Sequence, residues 1–131
     1  MSRDLIDPES RVPLDGLLQV LPGGFNAIWD RDGNRQAWDW YLGGAEADQY
    51  AAPARAQDVS GLPPTFIDVG TVDLFRDEDI AFGQRLMQAG VPTELHTSVG
   101  SYHASEALAP DAPLSQRIWA LRVEALRRAL T

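Results

Sequence analysis

The clearest feature of the hydrophobic pattern is a short apolar run at residues 65–69, followed by a helical pattern and a second strand-like run at 93–99. The first run is rich in the β-branched and aromatic residues that suit a fully buried strand, and Gly70 ends it. The second run alternates in polarity, which is typical of a strand with one partly exposed face. This strand–helix–strand order predicts two parallel strands joined by a right-handed crossover.

The helical patterns in the chain have recognisable ends. The helix between the strands opens with three acids at 77–79, where the macrodipole favours negative charge, and it ends at Gly90. Residues 34–42 and 115–130 also show helical periodicity, whereas 104–112 predict a loop or a short helix. Four arginines fall on the outer side of the last helix, where we expect a solvated face: Arg117, Arg122, Arg127 and Arg128.

Composition narrows the classes of function. The 131 residues carry a net charge of −8, which argues against a nucleic-acid or membrane-surface partner because both are anionic. Since the chain has no cysteine and only two histidines, without metal-ligand spacing, we expect no metal and no cofactor. Because we see neither a signal peptide nor an apolar run near the ~18 residues of a membrane span, we expect a cytoplasmic protein.

Two residues that could carry chemistry follow the predicted strands. Asp73 comes just after the first strand, and His103 lies in the loop after the second. Functional groups of open α/β sheets gather outside the carboxyl ends of the strands, so we expect Asp73 and His103 at one edge. A carboxylate bonded to one imidazole nitrogen fixes the tautomer and lets the other nitrogen act as a base. We therefore expect the Asp73 carboxylate within ~3.5 Å of a His103 nitrogen, or one water away. The alternative is that Asp73 is only a helix N-cap or a loop residue.

Several motifs give the chain a family resemblance. They are GLPP at 61–64, DLFRDE at 73–78, RLMQAGVP at 85–92 and GSYH at 100–103, with AW at 37–38, YLG at 41–43 and YAAPARA at 50–56 upstream. Over residues 26–108 the sequence resembles the hormone-sensitive-lipase-like carboxylesterases of the α/β-hydrolase family. The resemblance implies that Asp73 is the acid and His103 the base of a catalytic triad.

The sequence departs from that family at two motifs. The family's nucleophile lies in a Gly-x-Ser-x-Gly elbow and its oxyanion hole comes from a His-Gly-Gly motif, and the sequence contains neither. Ser98, Ser101 and Ser105 are near His103, but nothing places them as an activated nucleophile. The sequence therefore resembles the C-terminal part of such an enzyme, and we expect the chain alone to be inactive.

Three tryptophans lie close together in the upstream part of the sequence: Trp29, Trp38 and Trp40. One interpretation is that they only contribute to packing. The other is that Trp29 and Trp38 bind substrate by lining an acyl or alcohol pocket, since aromatic side chains commonly line such pockets.

These observations predict an α/β fold, the C-terminal portion of an α/β-hydrolase with parallel strands and flanking helices. Residues 1–131 would form a single partial domain, with 1–45 as a cap-associated segment and 62–131 as the strand–helix–strand unit plus the last helix. The substrate would be a small-molecule ester if an N-terminal half completes the site. An open strand edge predicts pairing with that complementary chain or a homo-oligomer. The alternatives are a non-catalytic binding or interaction module and an inactive fragment.

Overall fold

The protein is described from a computed structural model, in which Leu5, residues 7–9 and residues 31–131 are defined. Trp29 and most of the predicted cap-associated segment 1–45 lie outside the described residues. From residue 31 onward the elements are α1 (Arg31–Leu42), a 3-10 turn (Pro53–Arg55), β1 (Thr65–Gly70), α2 (Arg76–Gln88), β2 (Thr93–Ser98), α3 (Ser105–Leu108) and α4 (Pro113–Leu130).

The two strands form a parallel pair. Thr65 lies opposite Thr93 and Gly70 lies opposite Ser98, so the strands are in register along their whole length. Helix α2 connects them and packs against both. Its Gly83 allows a close approach to β2, because a Cβ at that position would lie 3.3 Å from a methyl carbon of Leu95. The predicted strand–helix–strand unit and the parallel pairing are confirmed.

The core lies between α2 and the sheet. Leu86 of α2 is completely buried, and it packs with Val59 and Val91. Ile67 of β1 and Phe82 of α2 are partly buried against this cluster. The core therefore fixes α2 over the strands and, with it, the two loops that follow their carboxyl ends.

Strand β1 is less buried than its apolar sequence predicts. Only Val69 and Gly70 are buried, and the four preceding positions are intermediate. Within the described part of the chain the sheet has two strands, so β1 has a hydrogen-bonded neighbour along one edge. The prediction of a fully buried strand is therefore wrong for the residues described, and burial is concentrated where β1 meets the loop after β2.

The helix boundaries differ slightly from those predicted. Helix α4 begins at Pro113 and not at 115, because proline suits the first turn of a helix, where no N–H is needed. Helix α1 begins at Arg31 and not at 34, and the 104–112 segment contains one short helix, α3. Over the described ranges, the structure contains no helix with the length and apolar character needed to cross a membrane.

Candidate active site

Asp73 lies in the turn between β1 and α2. The Asp73 N–H donates to the Gly70 carbonyl at 3.2 Å, which reverses the chain directly after the strand. Its Oδ1 accepts a hydrogen bond of 3.0 Å from the N–H of Phe75, one residue before α2 begins. One carboxylate oxygen thus fixes the local backbone, and the other, Oδ2, is directed to a neighbouring loop.

That neighbouring loop follows β2 and is bonded to the loop that follows β1. The Gly100 N–H donates to Thr71 Oγ1 at 2.9 Å, and the Val72 N–H donates to the Ser101 carbonyl at 3.0 Å. Gly100 has a φ of 81°, a left-handed conformation that glycine adopts without steric cost. Backbone and side-chain bonds therefore hold the two loops together at the carboxyl ends of the strands.

The two loops bring Asp73 and His103 into contact. His103 Nδ1 lies 3.1 Å from Asp73 Oδ2, so the predicted proximity is confirmed. The Asp73 side chain is 10% exposed and that of His103 is 39% exposed, which leaves the imidazole accessible beside a nearly buried carboxylate. The Phe75 ring meets the imidazole edge-on, with ring centroids 5.5 Å apart. With the carboxylate accepting from Nδ1–H, the basic lone pair of a neutral His103 is on Nε2.

Ser101 and Ser105 near His103 are buried rather than presented to a substrate, and Ser98, at the end of β2, is partly buried. Ser105 is completely buried and Ser101 is 4% exposed, and their hydroxyl oxygens lie 2.7 Å apart. A nucleophile needs an exposed Oγ, so this hydroxyl pair is structural. His96, the other histidine, lies in mid-strand, where its Nε2 is 2.7 Å from Glu94 and its ring contacts Phe66.

Trp38 lines a separate cavity of about 570 Å³. Phe82, Glu78 and Asp79 of α2 contribute to the same cavity, and neither Asp73 nor His103 is among its described lining residues. The structure therefore does not bring Trp38 into the loops around the Asp73–His103 pair. The substrate-binding assignment of Trp38 stays a prediction, and Trp29 lies outside the described residues.

Acidic neighbours shape the electrostatics of this region. Partial burial raises the pKa of Asp79, and the nearby carboxylates of Glu78, Asp73 and Asp68 raise it further, while His103 opposes them.

Burial also raises the pKa of the Tyr102 hydroxyl to about 12, so this residue stays neutral at physiological pH. The described residues do not group three or more His, Cys, Asp or Glu side chains where they could bind a metal ion.

One charged cluster beside the site was not predicted from the sequence. Arg122 of α4 binds both oxygens of Asp68 at 2.8 Å and Glu106 Oε1 at 2.6 Å, and its guanidinium lies over the Trp119 ring. The prediction that Arg122 belongs to a solvated face is therefore wrong. Its hydrogen bond to Asp68 is the main reason that the pKa of Arg122 is raised above its usual value. Asp68 could have indicated this cluster from the sequence, because a charged residue within a strand predicted to be buried requires a partner of opposite charge.

Known proteins share both the sequence pattern and the fold. The profile of the alpha/beta hydrolase fold family matches residues 21–107, most of the chain. The esterase LipI of Mycobacterium tuberculosis is 34% identical over 96 residues, which are 70% of this chain and 29% of LipI.

Two solved esterase structures superpose well on the chain. The esterase LipW from Mycobacterium marinum gives a TM-score of 0.76 at 36% identity, covering 79% of this chain and 33% of LipW. A bacterial heroin esterase gives a TM-score of 0.75 at 39% identity, covering 80% of this chain and 35% of that enzyme. The chain spans about a third of the length of these relatives. The predicted fold class is confirmed, and the chain belongs to the α/β-hydrolase fold family.

Proposed function

We propose that this chain supplies the acid and the base of a carboxylic ester hydrolase, Asp73 and His103. The observation that carries the proposal is the 3.1 Å contact between His103 Nδ1 and Asp73 Oδ2 at the carboxyl ends of neighbouring parallel strands. The similarity to proteins named esterases supports the reaction class.

In the proposed reaction, His103 Nε2 takes the proton from a serine hydroxyl as that oxygen attacks the ester carbonyl. The imidazolium then gives the proton to the departing alcohol, and a water molecule activated in the same way releases the acid. Asp73 maintains the Nδ1–H tautomer and stabilises the imidazolium without accepting its proton. The ring contact with Phe75 limits reorientation of the imidazole.

The nucleophile of the proposed reaction comes from a segment outside this sequence, since the sequence has no Gly-x-Ser-x-Gly elbow. The chain alone is accordingly expected to hydrolyse esters no faster than background. The substrate class is a small-molecule ester, with Trp38 and Trp29 as candidate walls of its pocket. The composition without cysteine favours a cytoplasmic setting for this reaction.

The test is complementation. The chain is co-expressed with an esterase segment chosen because it carries a Gly-x-Ser-x-Gly elbow, and hydrolysis of a short-chain p-nitrophenyl ester is measured. We expect activity only in the complex. His103→Ala should lower kcat roughly 10⁶-fold and Asp73→Asn roughly 10⁴-fold, the losses known for such changes in serine proteases.

His96→Ala is the matched control, since this second histidine lies in mid-strand away from Asp73, and it should leave the rate unchanged. Hydrolysis that survives His103→Ala would show that another group is the base. Robust turnover by the chain alone, abolished by His103→Ala, would show that it contains its own nucleophile.

A non-catalytic binding module is the second candidate, favoured by the absence of the elbow and oxyanion motifs from the sequence. It predicts that no complementing segment restores hydrolysis, although the Asp73–His103 contact remains. The complementation assay therefore separates the two functions.

A further inference from the structure

Arg122 connects the two elements that adjoin the acid and the base in sequence. Asp68 is in β1, five residues before Asp73, and Glu106 is in α3, three residues after His103. The guanidinium binds Asp68 through Nε and Nη2, both at 2.8 Å, and Glu106 through Nη1 at 2.6 Å. A single side chain of α4 thus fixes α3 relative to β1.

The contacts of Arg122 are well protected from solvent. The side chains of Asp68 and Glu106 are 14% and 12% exposed, and that of Arg122 is 32% exposed. The planar guanidinium bonds both oxygens of one carboxylate and, through its other nitrogen, a second carboxylate. This geometry leaves the Arg122 side chain little freedom to rotate. This arrangement differs from the pairs of Arg127 and Arg128 with Glu124, whose side chains are at least half exposed.

The His103 loop needs such an external restraint. Ala104, the next residue, has a φ of 58°, a left-handed conformation that is unfavourable for a residue with a Cβ. Helix α3 is only one turn long, which is too short to be stable by itself. The conformation of the loop therefore depends on tertiary contacts, and the Arg122–Glu106 ion pair is one that connects α3 to α4 and, through Asp68, to β1.

We propose that Arg122 is a positioning residue for His103: through Glu106 and Asp68 it fixes the helix after His103 against the strand before Asp73. This inference rests on the proposed function, in which His103 Nδ1 must donate to Asp73. In this role Arg122 acts through Glu106 and Asp68 and not by contact with the reacting atoms. Its effect is on the tautomer and orientation of the imidazole.

The obvious competing explanation is that Arg122 only neutralises two buried carboxylates. Deleting the guanidinium would leave both charges unpaired and would destabilise the fold strongly, so Arg122→Met cannot separate the explanations. Glu106→Ala is more selective. It removes the link to α3 and leaves Arg122 paired with Asp68, so no buried charge is left without a partner. Arg122→Lys keeps the positive charge but removes the planar fork.

The readout is the tautomer of His103 in imidazole ¹H–¹⁵N NMR spectra of the full chain, recorded at a pH where the ring is neutral. Cooperative unfolding in urea establishes that each variant is folded. In the unmodified chain we expect the Nδ1–H form. In Glu106→Ala and Arg122→Lys we expect the Nδ1–H population to fall at least two-fold, towards the Nε2–H form that unrestrained histidine prefers.

Two controls belong to the same experiment. Arg128→Met removes the ion pair between α4 and Glu94 of β2, away from α3, and should leave the His103 spectrum unchanged. His96, whose Nε2 bonds Glu94, is an internal reference in the Glu106→Ala and Arg122→Lys spectra.

The possible outcomes are distinct. If folded Glu106→Ala and Arg122→Lys keep the Nδ1–H form of the unmodified chain, Arg122 is only a charge-neutralising residue and the positioning role is wrong. If the unmodified chain itself has the Nε2–H form, the Asp73–His103 bond required by the proposed function is absent and both proposals fail. Because the readout is not ester hydrolysis, inactivity of the chain alone has no bearing on it.

Discussion

A single glycine allows the loops of the site to meet. A Cβ on Gly70 would lie 2.1 Å from the Ser101 carbonyl oxygen, far inside the contact distance that real Cβ atoms show. The same oxygen accepts the Val72 N–H at 3.0 Å, so the approach is part of the bonding that joins the two loops. The end of β1 can therefore lie against the His103 loop only if position 70 has no side chain.

We accordingly predict that Gly70→Ala destabilises the chain by about 1–3 kcal/mol or more, because the obstructing atom belongs to the backbone and cannot rotate away. The measurement is the free energy of unfolding in urea. Gly83→Ala is the control: its Cβ would meet the flexible end of Leu95 at 3.3 Å, and alanine gains about 1 kcal/mol of helix propensity. Equal stabilities for Gly70→Ala and the unmodified chain would show that the loops can separate without cost.

Helix α2 shows how burial can outweigh the helix dipole. Its first turn contains Asp77, Glu78 and Asp79, and the macrodipole alone would favour ionisation of all three. The pKa of Asp79 is nevertheless raised, chiefly because the carboxyl is partly buried and then because Glu78, Asp73 and Asp68 are near. The folded protein therefore binds the Asp79 proton more tightly than the unfolded chain does, and stability is lost as the pH rises through that pKa.

Because the pKa of Asp79 is raised in the folded state, we predict that Asp79→Asn stabilises the chain at pH 7. The gain should be at most about 0.5 kcal/mol, since the carboxyl is only partly buried and solvent screens the effect. The gain should disappear below the ordinary aspartate pKa of 3.8, where Asp79 is protonated in both states. Urea unfolding at several pH values measures it. A gain of the same size at every pH would indicate a cause other than ionisation, and a loss at pH 7 would show that the attraction to His103 dominates.

The helices and strands could be predicted where the residues that determine their ends lie close by in the sequence. The β-branched residues of β1, the acids that open α2 and Gly90 after its end lie within a few residues of the features they determine. The Asp73–His103 contact was also predictable, because parallel strands place their carboxyl ends at one edge. The role of Arg122 was not predictable, because its partner Asp68 lies 54 residues earlier in the sequence. Helical periodicity alone assigned Arg122 to the outer face of the helix. Burial of β1 was overestimated because apolar composition does not reveal which neighbours are present.

At the scale of the whole molecule, α4 exposes an apolar stripe. Four of its residues share one face at helical spacing and are 47–78% exposed: Trp119, Val123, Leu126 and Leu130. A groove of about 980 Å³ separates this helix from the start of both strands, with Phe66 and Leu126 in its lining. Together with the edge of β1 that has no strand partner in the described residues, this surface favours association.

We therefore predict that the chain self-associates at micromolar concentration or pairs with a complementary chain, as sedimentation equilibrium would measure. Leu126→Glu should shift the equilibrium towards monomer, because it places a charge in the apolar stripe. Leu121→Glu, on the opposite side of α4, is the control and should have little effect. A cooperatively folded monomer with no partner chain would contradict the prediction.

The range of the contacts around His103 has a consequence for how the protein folds. Asp73 and His103 are 30 residues apart in sequence, and Asp68 and Arg122 are 54 residues apart. The Asp73–His103 contact is about as distant in sequence as the pairing of Thr65 with Thr93, so it can form when β1, α2 and β2 assemble. The bond from Arg122 to Asp68 must overcome the loop-closure entropy of a longer segment, and it forms only when α4 docks. If Arg122 positions His103 as proposed, the Nδ1–H form of the His103 ring would therefore report that α4 has docked.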